Sequence, residues 1–116
     1  MEIKTNKNIF KTIEIPHLEF TVHFMDLKYL KGEDMKGSGF TCISGKQEAT
    51  VFLENIEKTV KSLDHMPYVA HELMHVIQII CETYNMTIEH EQEHTAYLMY
   101  YLMDCLTIKS TKKVWK

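Results

Sequence analysis

Arginine is absent from this chain of 116 residues, because all 13 of its basic residues are lysine. The planar guanidinium of arginine is the usual donor for bidentate contacts to phosphate and to guanine. Its absence, together with a net charge of −3, therefore argues against a nucleic-acid-binding protein. The lysine-rich tail over residues 109–116 is interpreted as a solvated chain end.

A long apolar run is also absent. The N-terminal stretch from Met1 to Asn8 has no apolar segment after its lysines, so it does not have the pattern of a signal peptide. The most apolar stretch, from Tyr97 to Leu106, is interrupted by Asp104 and is too short to span a bilayer. We therefore expect a cytoplasmic protein with no membrane partner.

Cysteine is scarce, and its number is odd. Cys42, Cys81 and Cys105 cannot all pair, and no Cys-x-x-Cys spacing occurs. We interpret them as reduced, mostly buried thiols of a cytosolic protein rather than as part of a zinc–thiolate site. The length is that of one domain, which excludes a two-domain enzyme with a separate cofactor module. Hydrophobic residues make up 45% of the chain, enough for one ordinary core.

Strand patterns dominate the first half of the chain, residues 1–54. Apolar and polar side chains alternate with period two, and a glycine-rich segment over residues 31–39 is predicted as a loop. Gly45-Lys46-Gln47 is predicted as a hairpin connection. The four predicted strands are Ile9–Ile15, Leu18–Phe24, Phe40–Ser44 and Ala49–Leu53. Residues 55–63 fit either a helical turn or a loop.

Helical periodicity replaces this pattern in the second half, residues 66–108. A first helix is predicted over about 67–84, with Asp64 in the N-cap region, Pro67 in the first turn and Asn85 as a left-handed cap. A second helix is predicted over about 88–108. The predicted buried positions are Val69, Leu73, Val76 and Ile80 on the first helix, and Thr95, Leu98, Leu102 and Cys105 or Leu106 on the second. The sequence thus predicts a single α+β domain over residues 1–116, with a small twisted antiparallel or mixed sheet packed on two helices.

Histidine is abundant, with seven residues, and two of them form the motif His71-Glu72-Leu73-Met74-His75 in the first predicted helix. Two imidazoles four residues apart lie on one helix face, close enough to bind one metal ion. Zinc accepts neutral imidazole and leaves a position open for water, and Glu72 is placed to take the proton of that water. The motif therefore predicts a zinc site at His71 and His75 with Glu72 as general base.

Two histidines do not complete a zinc site. Glu82 cannot be the third ligand, because seven residues of helix place it roughly 10 Å from His75. The longer motif with a glycine and a third histidine is also absent, since Gln78 and Cys81 occupy those two positions. The third ligand must come from another segment.

The run from Glu89 to His94 offers that ligand, because an antiparallel second helix would bring its first turns past the first helix. Glu93 is the preferred candidate, and His90 and His94 are the alternatives. A solvated, acidic helix start explains Glu89 and Glu91 without any metal, but it does not explain the two histidines.

The sequence resembles the zincin metallopeptidases of the gluzincin type, and in particular the small His-Glu-x-x-His proteins of phages and prophages. The residues that carry the resemblance are the motif His71–His75 and the segment Glu93-His94-Thr95-Ala96-Tyr97-Leu98, in the last half of the chain. It implies a minimal zincin fold, zinc bound by His71, His75 and Glu93, and Glu72 as general base. It also implies that an extended peptide adds to the edge strand of the sheet, predicted at Ala49–Leu53.

Two functions are compatible with these residues. The first is a zinc-dependent metallopeptidase that acts on a peptide or protein substrate, in which Tyr97 or His94 would stabilise the oxyanion. The alternative is a non-catalytic zinc-binding interaction module of phage or prophage origin, in which His90 or His94 fills the fourth zinc position. A metal-free α+β domain with incidental histidines is the third interpretation.

Overall fold

A single mixed sheet forms one layer of the structure. The computed structural model describes residues 8–30 and 39–107. Its four strands are β1 (Ile9–Ile15), β2 (Phe20–Asp26), β3 (Gly39–Gly45) and β4 (Glu48–Leu53), in the order β1-β2-β4-β3. The central pair, β2 and β4, is parallel, and the two outer pairs are antiparallel. The predicted α+β class with a mixed sheet is confirmed.

In the described part of the chain, three α-helices follow the sheet: α1 (Ile56–Thr59), α2 (Met66–Thr83) and α3 (Gln92–Thr107). Helix α1 is the short turn that the sequence left undecided. Helix α3 begins four residues later than predicted, because the hydroxyl of Thr87 accepts the backbone N–H of His90 at 3.3 Å and contacts its Nδ1 at 2.9 Å. A side chain that binds a nearby backbone N–H favours a turn over a helix.

Two of the three predictions for the ends of α2 are confirmed. Pro67 lies in the first turn, and Asn85 has the left-handed φ of 57° that was predicted for the C-terminal cap. Asp64 is not the N-cap, because His65 occupies that position. Instead, the backbone N–H of Asp64 donates to Ser62 Oγ at 3.2 Å in the preceding 3₁₀ turn.

The main core lies between α2, α3 and one face of the sheet. The predicted apolar positions of α2, Val69, Leu73, Val76 and Ile80, are all fully buried. On α3, Leu98, Leu102 and Leu106 are buried, whereas Cys105 is half-buried and is not the core position. A smaller cluster around Met25 and Phe52 occupies the other face of the sheet, as the alternation of strand side chains requires.

The prediction that Ala49–Leu53 is the edge strand is wrong. Strand β4, which contains this segment, pairs with β2 on one side and with β3 on the other. All five residues are buried, which is typical of an interior strand covered on both faces. The edge strand that faces α2 is β3, which pairs with β4 alone among the described strands.

Three predictions fall outside the described residues: the character of the first seven residues, the loop up to residue 38, and the basic tail from residue 109. Among the described helices, none is long and apolar enough to cross a membrane. All three cysteines are free, but only Cys81 is buried, so the prediction of mostly buried thiols is only partly correct.

Candidate metal centre

The motif histidines lie on the exposed side of α2, because the opposite face of the helix is buried against the sheet. The Nε2 atoms of His71 and His75 are 3.3 Å apart, and the two rings meet edge to face. A tetrahedral zinc ion with Zn–N bonds of about 2.0–2.1 Å holds two nitrogen ligands about 3.3–3.4 Å apart. The pair therefore fits two positions of a zinc coordination sphere.

Gln78 orients one of these rings. Its Oε1 lies 3.1 Å from Nδ1 of His75, so the ring N–H donates to the amide oxygen. This contact leaves the Nε2 lone pair of a neutral His75 free to bind a metal, which is how outer partners prepare ligating histidines. The spacing of three between His75 and Gln78 places both residues on one helix face, but it does not by itself indicate this hydrogen bond.

Glu72 is buried beside the histidine pair, with 7% of its surface exposed. Its Oε1 accepts a hydrogen bond of 2.6 Å from the hydroxyl of Thr41 on β3. A charge-assisted hydrogen bond of this length fixes the position of the carboxylate. Thr41 could not be predicted as a site residue, because 31 positions separate it from Glu72 and no local pattern connects them.

Gly39 permits this close approach of β3 to the motif. A Cβ atom at Gly39 would lie 3.0 Å from both Cγ and Oε2 of Glu72, which is closer than real Cβ atoms normally come. Any other residue at this position would displace the Glu72 side chain or the strand. The first residue of β3 therefore helps to define the position of the candidate general base.

A cleft of about 440 Å³ contains the motif. One wall consists of residues 39–41 of β3, and the other is the exposed face of α2 from His71 to Glu82. A smaller cleft of about 270 Å³, lined in part by Glu54 and His65, contains no residue of the motif. The candidate site is thus an open groove along the edge of the sheet.

The structure does not bring a third ligand to the histidine pair. The described residues contain no group of three histidine, cysteine, aspartate or glutamate side chains that could hold a metal ion. Glu93 is exposed in the first turn of α3, and His90 contacts Thr87. The assignment of Glu93 as third ligand therefore stays a prediction.

The two candidates for oxyanion stabilisation make other contacts. The ring of Tyr97 stacks on Tyr101 with a centroid distance of 6.1 Å. His94 contacts His17 in the turn between β1 and β2, with 3.1 Å between their Nε2 atoms. Neither Tyr97 nor His94 lines the cleft of the motif, so their catalytic role stays a prediction.

Cys81 occupies the third-histidine position of the longer motif, and its thiol is poorly suited to bind a metal. Burial raises its pKa above the usual value, and the carboxylate of Glu91 raises the pKa further. The Cys81 side chain is buried in the main core and does not line the cleft that contains the motif. Cys81 therefore does not replace the third histidine of the longer motif as a metal ligand.

Comparisons of the chain with protein-family models, with curated proteins and with solved structures find no match. The zincin resemblance of the two helical segments therefore stays a prediction, and the geometry of the site alone bears on function.

Proposed function

We propose that the protein is a zinc-dependent metallopeptidase with the cleft between β3 and α2 as its active site. One observation carries the proposal. Two Nε2 atoms lie 3.3 Å apart, and a buried carboxylate from the residue after the first histidine shares their cleft. This combination supplies two metal ligands and a general base at one point of a groove.

Glu72 performs the proton transfers in this proposal. A zinc ion on the histidine pair would supply Lewis-acid chemistry and lower the pKa of a water molecule. Glu72 takes a proton from the attacking water and later passes it to the leaving amine. Because Thr41 engages Oε1, we assign these transfers to Oε2.

The substrate lies along β3 in this proposal. Strand β3 pairs with β4 on one side, and residues 39–41 present its other side to the cleft. An extended peptide can add to such an edge through main-chain hydrogen bonds, which would place a peptide bond beside Glu72. The substrate is thus an extended peptide or an unfolded protein segment.

The substitution Glu72→Gln tests the proposal. We expect tag-free protein to keep its zinc, as measured by elemental analysis, while hydrolysis of a fluorogenic peptide library falls by about 10²–10⁴-fold. The control Glu57→Gln makes the same change at an exposed position of α1 and should leave both measurements unchanged. Retained zinc with undiminished hydrolysis in Glu72→Gln would contradict the role of Glu72.

The alternative is a non-catalytic zinc-binding module, which would need two protein ligands besides His71 and His75, and the described residues bring no third one to the pair. A purified wild-type protein that contains zinc but hydrolyses no peptide would support this alternative. Protein without zinc, and with stability unchanged by a chelator, would contradict both functions.

A further inference from the structure

A second pair of histidines lies away from the motif. His17 belongs to the turn between β1 and β2, and His94 to the first turn of α3, 77 positions later. Their Nε2 atoms are 3.1 Å apart, and the ring centroids are 5.3 Å apart with a 45° angle between the planes. Neither residue lines the cleft that contains the motif. The pair is therefore separate from the candidate active site.

The geometry of this pair suits a metal ion. At metal–nitrogen bonds of about 2.05 Å, a separation of 3.1 Å corresponds to an angle of about 98° at the metal, between octahedral and tetrahedral values. Two ring nitrogens this close need an atom between them that attracts both. The contact is then either an N–H shared between two nitrogens or a bridge through a cation.

Hydrogen bonds in the turn and core packing on α3 fix the backbone that carries the two histidines. In the turn, the N–H of Leu18 donates to Ile15 O at 3.0 Å and the N–H of Glu19 donates to Pro16 O at 3.1 Å. The hydroxyl of Tyr84, just after α2, donates to the carbonyl of Leu18. These bonds hold the β1–β2 turn against the end of α2.

On α3, Leu98 is fully buried one turn after His94 and fixes the start of that helix. A cation at the pair would therefore need to order only two imidazole side chains. Such preorganisation favours binding, because little conformational freedom is lost.

We propose that His17 and His94 form a second metal site, which binds a divalent transition-metal cation and ties the β1–β2 turn to α3. Imidazole nitrogen suits Zn²⁺ and Ni²⁺, and the positions that the two histidines leave open are available to water. Because the ligands are brought together only by folding, the cation binds the folded chain and raises its stability. The site does not depend on the proposed peptidase activity.

Calorimetric titration of tag-free protein with Zn²⁺ tests this site. In the double variant His71→Ala/His75→Ala, we expect one Zn²⁺ to bind per chain and to raise the melting temperature. Adding His17→Ala or His94→Ala should weaken this binding by more than about tenfold, at least as much as the loss of an outer partner of a metal ligand. The control is His90→Ala, because it removes an exposed histidine near the same end of α3 and should leave the affinity unchanged.

A second measurement keeps the test valid if the double variant fails to fold. In the otherwise unchanged protein, His17→Ala should reduce the zinc stoichiometry by one, and Ni²⁺ should show the same loss. Stoichiometry and affinity that are unaffected by both His17→Ala and His94→Ala would overturn the proposal and leave the contact as a hydrogen bond between imidazoles. Hydrolysis is not measured here, so failure of this site is distinguishable from failure of the proposed function.

Discussion

The two histidine pairs have similar geometry but are built in different ways. The Nε2 separations are 3.3 Å for His71 and His75 and 3.1 Å for His17 and His94. The first pair is one helical turn apart, so the secondary structure of α2 alone creates it. The second pair exists only because α3 packs beside the β1–β2 turn.

Their surroundings differ more than their distances. The motif pair adjoins the carboxylate of Glu72, which Thr41 holds at the edge of the sheet inside a cleft. The pair formed by His17 and His94 lies on the surface, outside that cleft. Two imidazoles at metal-binding distance can share a cation in either place, whereas catalysis also needs a fixed base and a place for substrate, and only the motif pair has both beside it.

A substitution that loosens the packing of α3 should have the largest effect, and it should weaken zinc binding at one histidine pair more than at the other. Leu98 is fully buried, so Leu98→Ala should lower the free energy of unfolding by about 2–5 kcal/mol in urea denaturation. Zinc titration of the folded variant, followed by histidine NMR signals, should show weaker binding at His17 and His94 than at the motif pair. The matched control Leu63→Ala removes a leucine that is 85% exposed and should cost less than about 0.5 kcal/mol. Equal weakening of both pairs would contradict a specific dependence of the second pair on α3 packing.

The substitution Thr41→Val removes the hydroxyl that holds the carboxylate of Glu72. This carboxylate is the group that distinguishes the motif pair from the second pair. The buried Glu72 then loses a 2.6 Å hydrogen bond, so the free energy of unfolding should fall by about 1.5–3 kcal/mol. Peptide hydrolysis should fall as well, because the base is no longer fixed. Thr41→Ser keeps the hydroxyl and serves as the control. If the valine variant matched the wild type in urea denaturation and turnover, Thr41 would have no positioning role.

The smallest effect concerns the orientation of His75. Gln78→Leu removes the acceptor for its Nδ1–H, and we expect zinc affinity at the motif pair to fall by about 10–100-fold, or about 1.4–2.7 kcal/mol. The pair of His17 and His94 is an internal control, since Gln78 does not contact it. Calorimetry should therefore show one weakened site and one unchanged site. Two sites weakened alike would contradict the specific role of Gln78.

The sequence predicted what depends on local periodicity. The apolar spacing of α2 and the exposed side of its histidines follow from the period of one helix, and both are confirmed. The left-handed conformation of Asn85 follows from its residue type at the helix end, and it is also confirmed. The existence of the four strands also followed from local signals, which are alternation in the first two and a predicted hairpin connection between the last two. Which edges pair did not, because alternation identifies a strand without identifying its neighbours. The nearly continuous apolar run Ala49-Thr50-Val51-Phe52-Leu53 fits the interior strand that the structure shows.

The rest of the candidate site could not be predicted, because it is made of contacts between distant segments. Thr41 is 31 positions from the carboxylate that it holds, and His17 is 77 positions from His94. Gly39 is required by a close approach that exists only when β3 lies against α2. No spacing rule within one element connects these residues with their partners.

The parallel ladder between β2 and β4 has a consequence for folding kinetics. The β1–β2 and β3–β4 hairpins each join neighbouring strands, whereas the parallel ladder pairs Thr21 with Glu48, 27 positions along the chain. Closing the longer loop costs more conformational entropy before any pairing compensates for it. The helix that carries the histidine pair can form without this ladder. The continuous sheet that sets β3 relative to β1 and β2, however, forms only with this ladder, which has the longest loop of the three strand pairings described.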